Sequence, residues 1–263
     1  MTDEIIPTIR KQRILKLASE GTREDGRKLD QFRPIEIKNN YVEVCDGSAM
    51  VRLGATTVIA GVSTDLGEPY PDIPNQGVMI TGAELIPMAD PSFEAGPPRE
   101  DAVELARVVD RGIRESQALD VEKLCVTPGE LVRLVFLDIH ILDNDGNLFD
   151  ACGIAAMTAL ATARMHDVDE NGKKLETRSP LPIRKIAVPC TFAKIKDYLL
   201  LDPSLEEERS ADSRLTISTE DNGNICAIQK GEIGGFRVED VMRAAEISRV
   251  KGEEVRQMIK RCV

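Results

Sequence analysis

Asp138, His140, Asp143 and Asp145 crowd one short stretch of the chain. Carboxylates and an imidazole at this spacing are raw material for a metal site or an acid–base pair. The calcium-loop template fails here. Counting from Asp143, the sixth position is Leu148 rather than glycine and the twelfth is Ile154 rather than glutamate. On a strand Asp138 and His140 share one face, while Asp143 and Asp145 fall in the following turn, so the plainer reading is a strand end closed by an Asx turn. Arg107, Arg111 and Arg114 follow i, i+4, i+7 spacing. They share one helix face roughly 10 Å long at ~1.5 Å per residue, long enough to grip two or three consecutive phosphates. Glu104, Asp110 and Glu115 intersperse them, and such a face is also what a solvated, ion-paired helix presents. Asp202, followed by the run Glu206-Glu-Glu-Arg209, stands after an apolar segment. A strand-end Asp is a common catalytic placement, yet one beside an acidic run also solvates a loop or caps a helix.

The remaining chemistry is thin. With only His140 and His166, hydrolytic triads and His-rich metal centres have little to draw on. No G-x-x-x-x-G-K-[ST], G-x-G-x-x-G or G-x-S-x-G stretch occurs, so the sequence supports no nucleotide cofactor and no metal. The six cysteines (Cys45, Cys125, Cys152, Cys190, Cys226, Cys262) are dispersed singly and read as small hydrophobes in a reducing compartment.

The elements that must position these residues follow from periodicity. A helix is expected over 4–20, with Ile9, Ile14, Leu15 and Leu17 near one face and Gly21 at its end. The polar turn Arg23-Glu-Asp-Gly-Arg27 leads into alternation through Ile35 and Ile37. Residues 48–63 read as a hairpin turning at Gly54-Ala55, 64–76 as a loop, 77–88 as a strand and 89–99 as a second loop. Val103, Ala106, Val109, Gly112 and Ile113 trace a helical stripe over 100–116. Residues 131–142 form the strongest strand, and a helix of small residues over 151–165 should lie buried between layers. The stretch 167–182, with Asn171-Gly172 and two prolines, reads as a connector. Beyond it come strands at 183–190, 192–201, 213–220 and 225–230, then a helix over 238–250 and another to about 260. The expected class is α+β, with two similar halves: 1–170, led by the helix over 4–20, and 183–263.

Composition narrows the function classes. At 42% hydrophobic and 30% charged residues the chain is ordinary for a folded protein, and no run approaches the ~20 apolar residues of a membrane span. A cytoplasmic protein without a membrane association is expected. The net charge of −11 argues against RNA binding by the whole surface, because phosphate neutralisation supplies most of that affinity. Any RNA contact must be local and shared with a more basic partner.

Several of these stretches, in order, resemble the RNase PH family of phosphate-dependent exoribonucleases. They are Arg23-x-Asp-Gly-Arg27, Gly47-Ser-Ala-Met-Val-Arg-Leu-Gly-Ala-Thr-Thr-Val-Ile-Ala60, Glu104-Leu-Ala-Arg-Val-Val-Asp-Arg111, Asp145-Gly before a small-residue helix, and Leu-Leu-Asp202-Pro with its acidic run. The resemblance spans roughly residues 20–260. It implies a pair of βαβα-type halves packed together and assembled into a hexameric ring around a pore.

The departures from that family are informative. Active members open the helix after Asp-Gly with a Gly/Thr/Arg-type stretch that holds the attacking phosphate at a helix N-terminus. Here the stretch is Asp145-Gly-Asn-Leu-Phe-Asp150-Ala-Cys-Gly153: the Arg and the hydroxyl are gone, Leu148 and Phe149 fill the space, and Asp150 adds negative charge. Of the paired aspartates of active members, Asp202 matches the first, and Glu208 replaces the second. Glu100-Asp101 stands about where active members carry paired arginines, with only Arg99 nearby. The pattern resembles a non-catalytic member of the archaeal exosome ring, an RNA-degrading assembly. That resemblance implies no catalytic residues, a catalytic RNase PH-like paralogue as heterodimer partner, three such pairs per ring, RNA-binding cap subunits, and RNA contacts from Arg107, Arg111 and Arg114. Two other readings differ in class: an active phosphorolytic enzyme using Asp202 and Glu208, and a stand-alone RNA-binding module.

Overall fold

The computed structural model describes residues 2–169 and 172–263, with side chains described from residue 9. In chain order the elements are α1 (Thr2–Ser19), β1 (Ile35–Asn39), β2 (Gly47–Leu53), β3 (Thr56–Gly67), β4 (Val78–Leu85), α2 (Glu100–Glu115), β5 (Cys125–Thr127), β6 (Leu131–Asp143) and α3 (Leu148–Thr162). The second half adds β7 (Arg164–Val168), β8 (Lys174–Pro180), β9 (Val188–Ile195), β10 (Tyr198–Leu201), α4 (Leu205–Ser210), β11 (Ser213–Thr219), β12 (Ile225–Gly231) and α5 (Val238–Cys262).

Two sheets carry the architecture. The larger runs β1-β2-β3-β6-β4 with β5 on β6, and only its β4–β6 pairing is parallel. The smaller, antiparallel throughout, runs β10-β9-β11-β12. Period-two alternation turns Ala49, Val51 and Leu53, then Val58, Ala60 and Val62, then Val135, Leu137, Ile139 and Ile141 inward. α3 lies between the layers, packed on β2 and β3 on one side and on β9 on the other, which its alanine-rich sequence permits on nearly every face. One continuous core joins this sheet, α2 and α3 to Val188 of β9 and to Val255 and Ile259 of α5. A second cluster, including Phe192, Leu201, Leu215 and Ile217, lies against Ala244 of α5.

The mixed α+β class and the hairpin turning at Gly54 stand as the sequence indicates. Other expectations need correction. Of the expected helix faces, Ile14 of α1 and Ala106, Val109, Gly112 and Ile113 of α2 are buried, but Ile9 is 60% exposed and Val103 is 45% exposed; Ala18, Leu105 and Val108 complete the buried faces. β3 continues to Gly67 because it pairs with β6 along that length, where a loop from 64 was expected. α3 begins at Leu148 rather than 151. The connector over 167–182 is mostly structured: β7 and β8 form a two-stranded ribbon whose polar, exposed residues give no alternation to read. Asn171 lies outside the described residues. In place of strands at 183–190 and 192–201 the chain makes β9 and β10, which pair antiparallel. The two expected C-terminal helices are one helix of 25 residues. Gly252 does not break it, because a Cβ there would meet Thr219 Oγ1 at 2.5 Å, so the glycine serves a close approach of helix to sheet.

Candidate functional site

β10 ends at Leu201, and Asp202 follows with a left-handed backbone (φ 50°) and no solvent exposure. Its carboxylate accepts from five donors. Arg33 gives its backbone N–H (2.8 Å), Nε (3.0 Å) and Nη2 (2.8 Å); Arg27 gives Nη1 (3.0 Å) and Asn147 gives Nδ2 (2.7 Å). Arg33 also donates to the Asp145 carbonyl (2.7 Å) and the Gly146 carbonyl (3.1 Å), and Arg23 donates to the Asp202 carbonyl (2.8 Å) and binds Glu207. Asp202 is therefore neither a solvated loop residue nor a helix cap. It is the buried anchor joining the 23–33 segment, the start of α3 and the end of β10.

The start of α3 is where an anion would be held, since its first N–H groups lack partners in the helix and carry the positive end of the dipole. Asn147 caps it with a left-handed backbone (φ 55°), and its N–H donates to Glu208 Oε1 at 2.8 Å. A carboxylate of the chain thus already occupies that position. Glu208 is delivered by α4, whose leading turn is pressed against Gly146: a Cβ there would stand 2.4 Å from Leu205 N, and φ is 85°. Leu205 N–H also donates to the Asp145 carbonyl at 3.0 Å. Burial pushes the Glu208 carboxyl up to about 7 against the pull of that hydrogen bond and of Arg214 and Arg33.

Asp150 does not face the anion position, contrary to expectation. It turns inward, fully buried, and accepts from Thr191 N–H (2.9 Å), Thr191 Oγ1 (2.8 Å) and Asn147 Nδ2 (2.8 Å). Burial pushes it up to about 7. Phe149 does fill the space: its ring lies under the Arg214 guanidinium, 4.2 Å from centroid to Cζ, and Arg214 Nη2 bonds Glu104 at 2.6 Å. What remains is a cleft of about 180 Å³ bordered by Phe93, Asp101, Glu104, Phe149, Glu208 and Arg214. Two of its walls are therefore acidic, which disfavours a phosphate.

The other acidic residues are not brought together. Asp138 and His140 lie on the outer face of the large sheet, His140 Nδ1 being 3.4 Å from Glu84, while Asp145 sits under Arg33. Among the described residues no group of three or more His, Cys, Asp or Glu side chains is placed to hold a metal ion. All six cysteines are free; Cys152 and Cys190 are buried and the other four half-buried.

On α2, Arg107, Arg111 and Arg114 are all exposed. Arg114 is tied to Asp110 by two bonds of 3.0 Å and to the Met79 carbonyl at 3.3 Å. Arg111 rests on Gln229 of β12 at 2.7 Å, while Arg107 has no hydrogen bond or ion pair among the described residues. Arg99 caps the helix start beside Glu100 and Asp101 and pairs with Glu94. Sequence reasoning passed over Arg33 and Asn147, which complete the Asp202 cluster. Its only signal there was the Arg23-x-Asp-Gly-Arg27 turn.

Comparison with known proteins accords with this geometry. Residues 31–166 match domain 1 of the 3′ exoribonuclease family, and residues 185–251 match domain 2. The exosome complex component Rrp42 of Thermococcus gammatolerans is 51% identical over 265 residues, covering 99% of this chain and 97% of that protein. Among solved structures, a chain of the Archaeoglobus fulgidus exosome with RNA bound to the active site superposes with a TM-score of 0.91 at 42% identity, over 97% of this chain and 99% of that one. A chain of an archaeal exosome core gives 0.88 at 38% identity, over 99% of this chain and 100% of that one. Both RNase PH-type domains are thus present in order, and the chain belongs to the 3′ exoribonuclease family.

Proposed function

We propose that this chain is a non-catalytic subunit of an archaeal-type exosome ring. It structures the active site of a catalytic RNase PH-like paralogue during 3′–5′ phosphorolysis and offers Arg107, Arg111 and Arg114 to the incoming RNA. The observation that carries this reading is Glu208 Oε1 on Asn147 N–H at 2.8 Å. An internal carboxylate holds the place of the attacking phosphate, and Asp202, the one matching catalytic aspartate, is sealed under five donors. The solved relative described as an exosome with RNA bound to the active site supports membership in such an assembly. In this reading the chain divides into halves 1–170 and 183–263, alternates with its paralogue in a hexamer, carries RNA-binding caps, and works in the cytoplasm.

The purified chain, given RNA and inorganic phosphate, is expected to release no nucleoside diphosphate, while the chain reconstituted with its paralogue does. Release by the chain alone would instead establish the competing reading, in which Glu208, its carboxyl pushed up to about 7, acts as the proton donor of an active enzyme.

A further inference from the structure

We propose that the Glu208–Asn147 contact is a proton-controlled latch between α4 and the start of α3. While its carboxyl is neutral, Glu208 holds α4 in place; as that carboxyl ionises with rising pH, α4 loosens. The latch rests on the contact that carries the reading above. It is a property of the isolated chain without RNA, phosphate or paralogue, however, so the two can fail separately.

Three carboxylates converge on one residue. Asn147 gives its N–H to Glu208 (2.8 Å) and its Nδ2 to both Asp150 (2.8 Å) and Asp202 (2.7 Å). Only Asp202 has cationic partners, Arg27 and Arg33. Asp150 accepts from neutral donors alone, Asn147 Nδ2 and the N–H and hydroxyl of Thr191 on β9. Among the described residues the Glu208 carboxylate accepts only from the Asn147 N–H. Like charges this close, away from water, cannot all stay ionised cheaply, and a carboxyl without a cation on it is the one to take the proton.

The charged groups facing Glu208 come from each element around it. Arg214 of β11 is held by Glu104 of α2 (2.6 Å), and Arg33 by Asp202 and the Asp145 and Gly146 carbonyls. Arg209 of α4 points toward Asp90 at 3.8 Å. On the negative side stand Asp202 and Asp150, then Asp101 and Glu104 across one cleft and Glu232 in the next. Burial, with Asp202, outweighs the helix dipole and the two distant arginines, so the carboxyl is pushed from 4.5 up to about 7. Docking α4 therefore binds a proton. By linkage the contact is strongest below about pH 4.5, weakens as pH climbs to about 7, and changes little above.

Amide hydrogen exchange on the intact chain, corrected for intrinsic rates at each pH, tests this. Protection at Asn147 and over 205–211, relative to α5, is expected to fall on the order of tenfold or more between about pH 5 and 7. Glu208→Gln is neutral at every pH and still offers an oxygen to Asn147, so it should cut that fall to less than about twofold. In the wild-type chain, carbon-13 carboxyl resonances should place the Glu208 midpoint at about 7, a readout that needs no variant. A Glu208 midpoint between about 4 and 5, protection that does not fall over that range, or an equal fall in Glu208→Gln would each overturn the proposal.

Discussion

Asp202 is buried among two arginines and an asparagine, and replacing it leaves Arg27 and Arg33 as uncompensated charges. Asp202→Ala is expected to cost about 3–5 kcal/mol in denaturant unfolding, far beyond a surface Asp→Ala. A loss below about 1 kcal/mol would mean that the cluster is not structural. Asp150 makes the opposite contribution. Its pKa rises from 3.8 to about 7 in the fold, so it is most favourable while protonated, and that contribution fades as pH climbs through about 7. Asp150→Asn, always neutral and able to keep the bonds to Thr191, should flatten the fall in stability between about pH 4 and 7. Above pH 7 it should exceed wild type by on the order of 2 kcal/mol, as thermal melts across pH will report. Asp202 was visible in the sequence as a strand-end acid, but its partners were not. Arg33 lies 169 positions away, and only the folded chain joins the two.

Among the elements, α4 decides the site because it brings Glu208 onto the α3 start, and it can do so only while its first turn lies flat on Gly146. Gly146→Ala adds a Cβ 2.4 Å from Leu205 N at a positive φ, so it should displace α4 and cost about 2–4 kcal/mol, with hydrogen exchange rising first over 203–210. The long pieces were legible: the hairpin through Gly54, α2 and β6 carry enough period for burial to impose a pattern, and α3 shows as an unbroken run of small apolar residues buried on nearly every side. α4 was not, since six residues of an acidic run leave no periodicity. The β7–β8 ribbon was hidden for a related reason. β8 buries almost nothing and β7 fully buries only Met165, so turn-type polar residues outnumber any alternation.

For the whole molecule, a charge of −11 beside a three-arginine helix face means that, in the proposed role, any RNA affinity has to be local and additive with a partner's. The isolated chain should bind single-stranded RNA weakly in filter assays, and tight salt-sensitive retention would point to a stand-alone binding module. In the reconstituted assembly, Arg107, Arg111 and Arg114 all changed to Glu should slow RNA degradation without altering the complex's mass. The salt slope of RNA binding should fall by about 2, as roughly 0.7 per phosphate contact for single strands implies. Unchanged rates would leave the face merely solvated.

The last turns of α5 place Val255 and Ile259 in the same core as the large sheet, and the Cys262 carbonyl takes a hydrogen bond from Asn39 of β1. On the ribosome, therefore, the first half emerges with a gap that stays open until α5 has been translated. A chain stopped before residue 255 should be handed to chaperones and proteases instead of a ring.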